Sequence, residues 1–336
     1  MATLIAPSNH SPQEDAEALR DAVKGWGTDE KAVIAILCHR NAYQRQQIRK
    51  AYQDLHGEDL IKRLESELSG DFERGMYRWI LEPAERYALL ANVVIRNANK
   101  DYHVIVEISC VLEPEELLAV KRAYQNRYKH SLEEDVAAHT SGHLRQAKFS
   151  IELLHAEVTI SCFEIHFMQL LVGLVSTFRY GGDEINARLA KNEADILHEA
   201  IKDKKNNHEE VIRVLSTRSK TQLVATFNRY RDEHGISITK KLLDEGSDDF
   251  LKAVHVAIRC INDHKKYYEK VLRNVIKRVG TDEDGLTRVF VTRAEKDLKD
   301  IQELYYKRNS VQLEDAVARE TSGDYKRMLL TLLGKH

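Results

Sequence analysis

Four tyrosines, Tyr52, Tyr124, Tyr230 and Tyr305, stand in the same surroundings, and that repetition limits the fold more than any other feature of the chain. Eight residues after them come Leu60, Leu132, Ile238 and Leu313; twenty residues after them come Phe72, Leu144, Phe250 and Tyr325. These last residues close Ser-Gly-Asp-Phe, Ser-Gly-His-Leu, Ser-Asp-Asp-Phe and Ser-Gly-Asp-Tyr. Twelve residues before the tyrosine stand Arg40, Arg218 and Arg293, with Leu112 breaking the pattern in the second copy. Copies of roughly 70 residues kept in register describe supersecondary units that must share burial with their neighbours. Within the first copy Val33, Ile36 and Leu37, then Ile48, Ala51, Tyr52 and Leu55, then Leu60, Leu64 and Leu68 recur at helical spacing. The pattern predicts an all-α chain of four repeats, about five short helices in each. Ser11-Pro12-Gln13-Glu14 predicts where the first helix starts, with Ser11 as cap and proline at the first position.

The chemistry is concentrated in Lys24-Gly25-Trp26-Gly27-Thr28-Asp29-Glu30, read together with Glu67, forty residues after Gly27. Two glycines flanking one residue let the backbone curl so that several carbonyl oxygens face a common centre. Thr28 is expected to cap the helix that Asp29 and Glu30 begin, where their charges suit its N-terminus. Carbonyls alone hold a cation weakly, and a hard divalent ion also needs a carboxylate from elsewhere in the fold. Glu67, near the end of a helical run, is the candidate.

Composition removes other classes. The 51 basic and 53 acidic side chains nearly cancel, which argues against a nucleic-acid binder and against adhesion to anionic membranes by charge alone. The segment from Met1 to His10 has neither a basic region nor a long apolar core, so no signal peptide is expected. No apolar run approaches the roughly 18 residues that span a bilayer; the longest, around Leu170 to Val175, reads as a buried helix. Cys38, Cys110, Cys162 and Cys260 show no ligand spacing and read as core thiols. The fifteen histidines form no metal-binding motif, and no nucleophile–base pair is apparent, so an enzyme is not expected.

Four repeats, the Gly-Trp-Gly-Thr-Asp-Glu loop, Arg-x-x-x-Gln-Arg and Ser-Gly-Asp-Phe together resemble an annexin, over about residues 12 to 333. The likeness is to plant annexins, whose first and fourth repeats keep a calcium loop. It implies a single curved array: a short tail (1–12), then repeats at 13–81, 85–177, 185–260 and 265–333. It also implies Ca²⁺ held by main-chain oxygens of Val23, Gly25 and Gly27 and both oxygens of Glu67. In the fourth repeat Ile276, Arg278 and Gly280 would serve with Glu320, again forty residues after the glycine, although Arg278 replaces the first glycine. The second repeat offers Asn97-Ala98-Asn99-Lys100-Asp101 and the third Lys204-Lys205-Asn206-Asn207-His208, without glycine pairs, so neither is expected to bind calcium in this way.

By the same resemblance, phosphate oxygens of anionic lipid complete the ion's shell, and Trp26 dips into the headgroup region. The implied protein is cytoplasmic until calcium rises and then peripheral at plasma membrane or endomembranes, with a role in calcium and stress signalling and scope for oligomers on the membrane. Competing activities known among relatives are nucleotide phosphodiesterase or peroxidase chemistry and a calcium-permeable channel. Smaller likenesses are weaker. Cys110 and Cys260 match suspected redox positions, with Val106 where the associated methionine would stand. His39 matches a proposed haem ligand but reads as a satisfied helix histidine. Asp282-Glu283-Asp284-Gly285 resembles a GTP-site fragment of ATPase/GTPase type but reads as a helix start. Ile212-Arg213-Val214 resembles a tripeptide suggested for actin contact.

One stretch breaks the repeat. Removing residues 147–169 joins Gln146 to Leu170 in a sequence that parallels the fourth repeat. The 23 extra residues, apolar and partly strand-like from Glu157 to Phe167, read as an in-frame insertion of retained-intron type with no obvious place in the core.

Overall fold

The computed structural model describes residues 1–24, 27–97, 101–140, 162–176, 178–202, 208–246, 248–277 and 280–335, with no side-chain account of 162–164. Nineteen helices and no strand occur among them. The first repeat folds as the predicted five: Pro12–Ala22, Glu30–Leu37, Ala42–His56, Leu60–Glu67 and Gly70–Ile80. Ser11 caps the first, accepting a hydrogen bond from the Glu14 amide at 3.2 Å, with Pro12 at the first position. Asn41 and Gln44 close a reciprocal capping box at the start of Ala42–His56, and Gly57 ends that helix in the left-handed conformation.

The chain divides into two compact units, Met1–Arg86 with Lys265–His336, and Tyr87–His264. The first and fourth repeats therefore fold together, and so do the second and third. Helix Asp249–Ile276 runs from one unit into the other and breaks at Asp263, whose backbone is extended (φ −162°, ψ 87°).

In the first unit, helix Gly70–Ile80 packs on helices Glu283–Arg293 and Gly323–Leu332. Trp79 is fully buried and donates its indole N–H to the Leu37 carbonyl at 2.8 Å. The Arg45 guanidinium lies 3.8 Å over the Trp79 ring and pairs with Glu295 at 2.9 Å, a bridge between repeats 250 residues apart. A cation on an aromatic face, with a carboxylate partner, is how such a buried charge is made tolerable. Arg86 adds hydrogen bonds to the carbonyls of Arg78, Trp79, Leu81 and Val291.

In the second unit, helix Cys162–Ser176 packs on Leu132–Thr140, His208–Thr217 and His103–Val111. Leu170, Leu171, Leu174 and Val175 are buried, as the apolar run predicts. The partly strand-like reading fails from Cys162 onward, because those residues continue that helix. Their register explains it: His166-Phe167-Met168-Gln169 repeats the spacing of His143-Leu144-Arg145-Gln146 directly before the same Leu-Leu pair. Phe167 meets the Tyr102 ring edge-on at 5.6 Å, and His166 lies against His208 and Phe250, so this end of the extra stretch does find a place in the packing. Residues 147–161 lie outside the described residues.

Cys38 and Cys110 are buried free thiols, and Cys260 is buried as well. Burial pushes Cys38 up to about 12 and Cys110 up to about 11, so both stay protonated at neutral pH, as core thiols should. No helix among the described residues is long and apolar enough to cross a membrane.

Candidate functional site

Both candidate loops lie in the first unit. In the first, the Asp29 amide donates to the Ala22 carbonyl at 2.8 Å, closing the turn between two helices. Gly27 has φ +88°, a conformation that penalises any residue with a β-carbon. The fourth repeat closes the same way: the Asp282 amide donates to Val275 at 3.2 Å, and Gly280 has φ +79°.

The helix cap is not Thr28. Asp29 takes that place, its carboxylate accepting from the Ala32 amide at 3.0 Å, and Asp282 does the same for Gly285 at 2.9 Å. A carboxylate gains more at a helix N-terminus than a neutral hydroxyl does. Thr28 is thereby left to face the other side of the site: its Oγ1 stands 3.5 Å from both the main-chain oxygen and Oε2 of Glu67. Thr281 Oγ1 stands 3.4 Å from the main-chain oxygen of Glu320.

Glu67 and Glu320 are each the last residue of an eight-residue helix, Leu60–Glu67 and Leu313–Glu320. Val23 ends the first helix of its repeat as the C-cap, and Ile276 is the last residue of its own. One nitrogen joins the first set: Arg63 Nη2 lies 2.7 Å from the Val23 carbonyl oxygen and 3.0 Å from Glu67 Oε1. A loop carbonyl and a carboxylate thus already face one positive charge. Carbonyl, carboxylate and hydroxyl oxygens are the donors that hard divalent cations prefer. Arg63 was not foreseen from the sequence, although its position four residues before Glu67 on a helix is a recognisable pairing signal. Gly25, Trp26 and Arg278 lie outside the described residues, as do Ala98, Asn99 and Lys100 of the second repeat and residues 203–207 of the third.

Between the two glutamates lies a cavity of about 330 Å³ whose lining includes Glu30, Glu67, Asp71, Glu283, Glu320 and Asp324, with no lysine or arginine among its lining residues. Asp71 and Asp324 are paired with Arg74 and Arg327. So many carboxylates around one cleft make its potential negative and attract cations.

Other motifs fall elsewhere. Asp282-Glu283-Asp284-Gly285 is a capped helix start, as expected. His39 lies in the turn after helix Glu30–Leu37 rather than within a helix. Ile212-Arg213-Val214 is inside helix His208–Thr217, with Val214 buried and Arg213 paired with Glu210 and Glu193.

The annexin family model matches this chain four times, at residues 14–79, 88–151, 192–257 and 267–332. The second match stops ahead of helix Cys162–Ser176, whereas the other three run into the last helix of their copies. The chain is 65% identical over 335 residues to annexin-like protein RJ4 of Fragaria ananassa, covering 100% of this chain and 99% of the relative. It is 48% identical over 336 residues to annexin D2 of Arabidopsis thaliana, covering 99% of each. The fold superposes on calcium-bound annexin (Sm)1 with a TM-score of 0.81 at 27% identity, covering 100% of this chain and 93% of that one.

Proposed function

Because the chain belongs to the annexin family, we propose that it binds anionic phospholipid membranes in a calcium-dependent manner through the loops of its first and fourth repeats. The observation that carries this reading is the pair of like-built loops in one unit, each with a left-handed glycine and a carboxylate at a helix end opposite. Main-chain oxygens of Val23, Gly25 and Gly27 and the carboxylate of Glu67 would hold the first ion. Ile276, Arg278, Gly280 and Glu320 would hold the second. The bound ion supplies positive charge that attracts lipid phosphate. One acidic side chain among neutral carbonyls leaves that charge largely uncompensated.

Two sites in one unit also act together, since docking at one raises the effective concentration of lipid at the other. Trp26, between the two glycines, would sit at the headgroup level, where amphipathic aromatic rings are favoured. The formal charge of −2 on the whole chain gives no standing attraction to anionic lipid, so docking would follow the calcium level.

Co-sedimentation with phosphatidylserine-containing vesicles, with and without calcium, tests the reading. The parent protein is expected to pellet only with calcium, and the Glu67→Gln, Glu320→Gln double variant to stay in the supernatant at calcium levels that saturate the parent. Undiminished calcium-dependent pelleting of the double variant would sink the assignment.

A further inference from the structure

We propose that Arg63 sets the calcium threshold of the first site by occupying its ligands in the ion-free protein. This rests on the reading of Val23 and Glu67 as ligands. The guanidinium reaches back from one helical turn before Glu67, and its Nη2 bridges Glu67 Oε1 at 3.0 Å to the Val23 carbonyl at 2.7 Å. Those two oxygens belong to chain segments about forty residues apart and meet at this nitrogen. The arginine stands in the position of a cation and holds the loop and the helix end together.

The grip is partial. Nη2 makes both contacts, and Nε is buried without a hydrogen-bond partner among the described residues. The side chain remains about a third exposed, which leaves it room to swing outward. What displaces it is competition for its oxygens. A divalent ion with flexible coordination that binds oxygens directly is a strong competitor. Mg²⁺, which gives up its water reluctantly, and monovalent ions are weak ones. Arg63 thus raises the calcium level at which the first site fills.

The fourth repeat is an internal control. Ala316 stands four residues before Glu320 where Arg63 stands before Glu67, and the neighbouring Arg319 donates through Nε to the Asp315 carbonyl at 3.3 Å. Among the described residues, no arginine stands to Glu320 as Arg63 stands to Glu67.

The test is calorimetric titration of calcium into the full-length Glu320→Gln protein, compared with the same protein carrying Arg63→Ala, Arg63→Gln or Lys62→Ala. Losing a partly buried ion pair and a charge-assisted bond to a carbonyl is expected to tighten calcium binding by a factor of about three to ten in both Arg63 variants. Lys62→Ala removes equal charge from an exposed neighbouring position and is expected to change binding by less than about twofold. In the Glu320→Gln parent, the Arg63 Nε–Hε resonance should move at the calorimetric midpoint. Unchanged affinity in the Arg63 variants, a gain no larger than that of Lys62→Ala, or a static resonance overturns the role given to Arg63 while leaving the site intact. A Glu320→Gln parent that takes up no calcium overturns the ligand reading as well.

Discussion

The first and fourth loops share one frame and differ in what surrounds it. The frame is a closing hydrogen bond (Asp29 to Ala22, Asp282 to Val275), a left-handed glycine, an aspartate cap and a glutamate at a helix end. Among the places where the surroundings diverge are Gly25 against Arg278, Trp26 against Val279, and Arg63 against Ala316. The first loop has the freer backbone but an arginine across its oxygens. The fourth has alanine in that arginine's position but carries a β-carbon where its counterpart has none. Likeness of frame therefore does not make the two sites equal. On the proposed reading, their relative strength would be set by residues that supply only a carbonyl or no ligand at all.

The largest effect should come from breaking the frame itself. Gly27→Ala and Gly280→Ala each force a β-carbon into the left-handed region, at about 1–2 kcal/mol, or roughly a five- to thirtyfold loss of calcium affinity at the altered site. The two losses should match in calorimetry; a large loss at one loop and none at the other would mean the loops are not equivalent.

Next, Arg278→Gly in a Glu67→Gln background should tighten the remaining site by roughly fivefold, the worth of about 1 kcal/mol of backbone freedom. No gain would show that the loops do not differ in their backbones. The smallest effect should be that of Trp26→Ala, about a threefold weaker vesicle binding with calcium uptake in solution unchanged. A change in calcium uptake would instead tie the ring to the loop's own structure.

Most of the frame was legible because it is written in spacing. The forty-residue intervals from Gly27 to Glu67 and from Gly280 to Glu320 survive in the structure as loops facing helix ends, and among the described residues, which leave out Leu144, the tyrosine register marks the helices correctly. Arg63 and the helix from Cys162 did carry a spacing signal; the rest of what was missed had none, or had two equal solutions. Thr28 and Asp29 are both good caps, and sequence alone could not say which would turn toward the helix and which toward Glu67. The bridge from Arg45 to Glu295 joins two ordinary charges 250 residues apart, with no local pattern to mark either. The helix from Cys162 was obscured by β-branched and aromatic residues, Ile165 and Phe167, whose local strand preference yields to tertiary packing. Comparing the end of the extra stretch with the residues before it would have found the repeated His-x-x-Gln register.

The pairing of the first repeat with the fourth has a consequence for how the protein is made. Synthesis runs from the N-terminus, so a ribosome that has passed His264 has already supplied everything the Tyr87–His264 unit contains. Residues 1–86 must meanwhile wait for the final stretch before Arg45 meets its carboxylate and helix Gly70–Ile80 the two helices it packs on. During that interval the emerging chain presents an unfinished apolar face, the kind of surface that chaperones recognise.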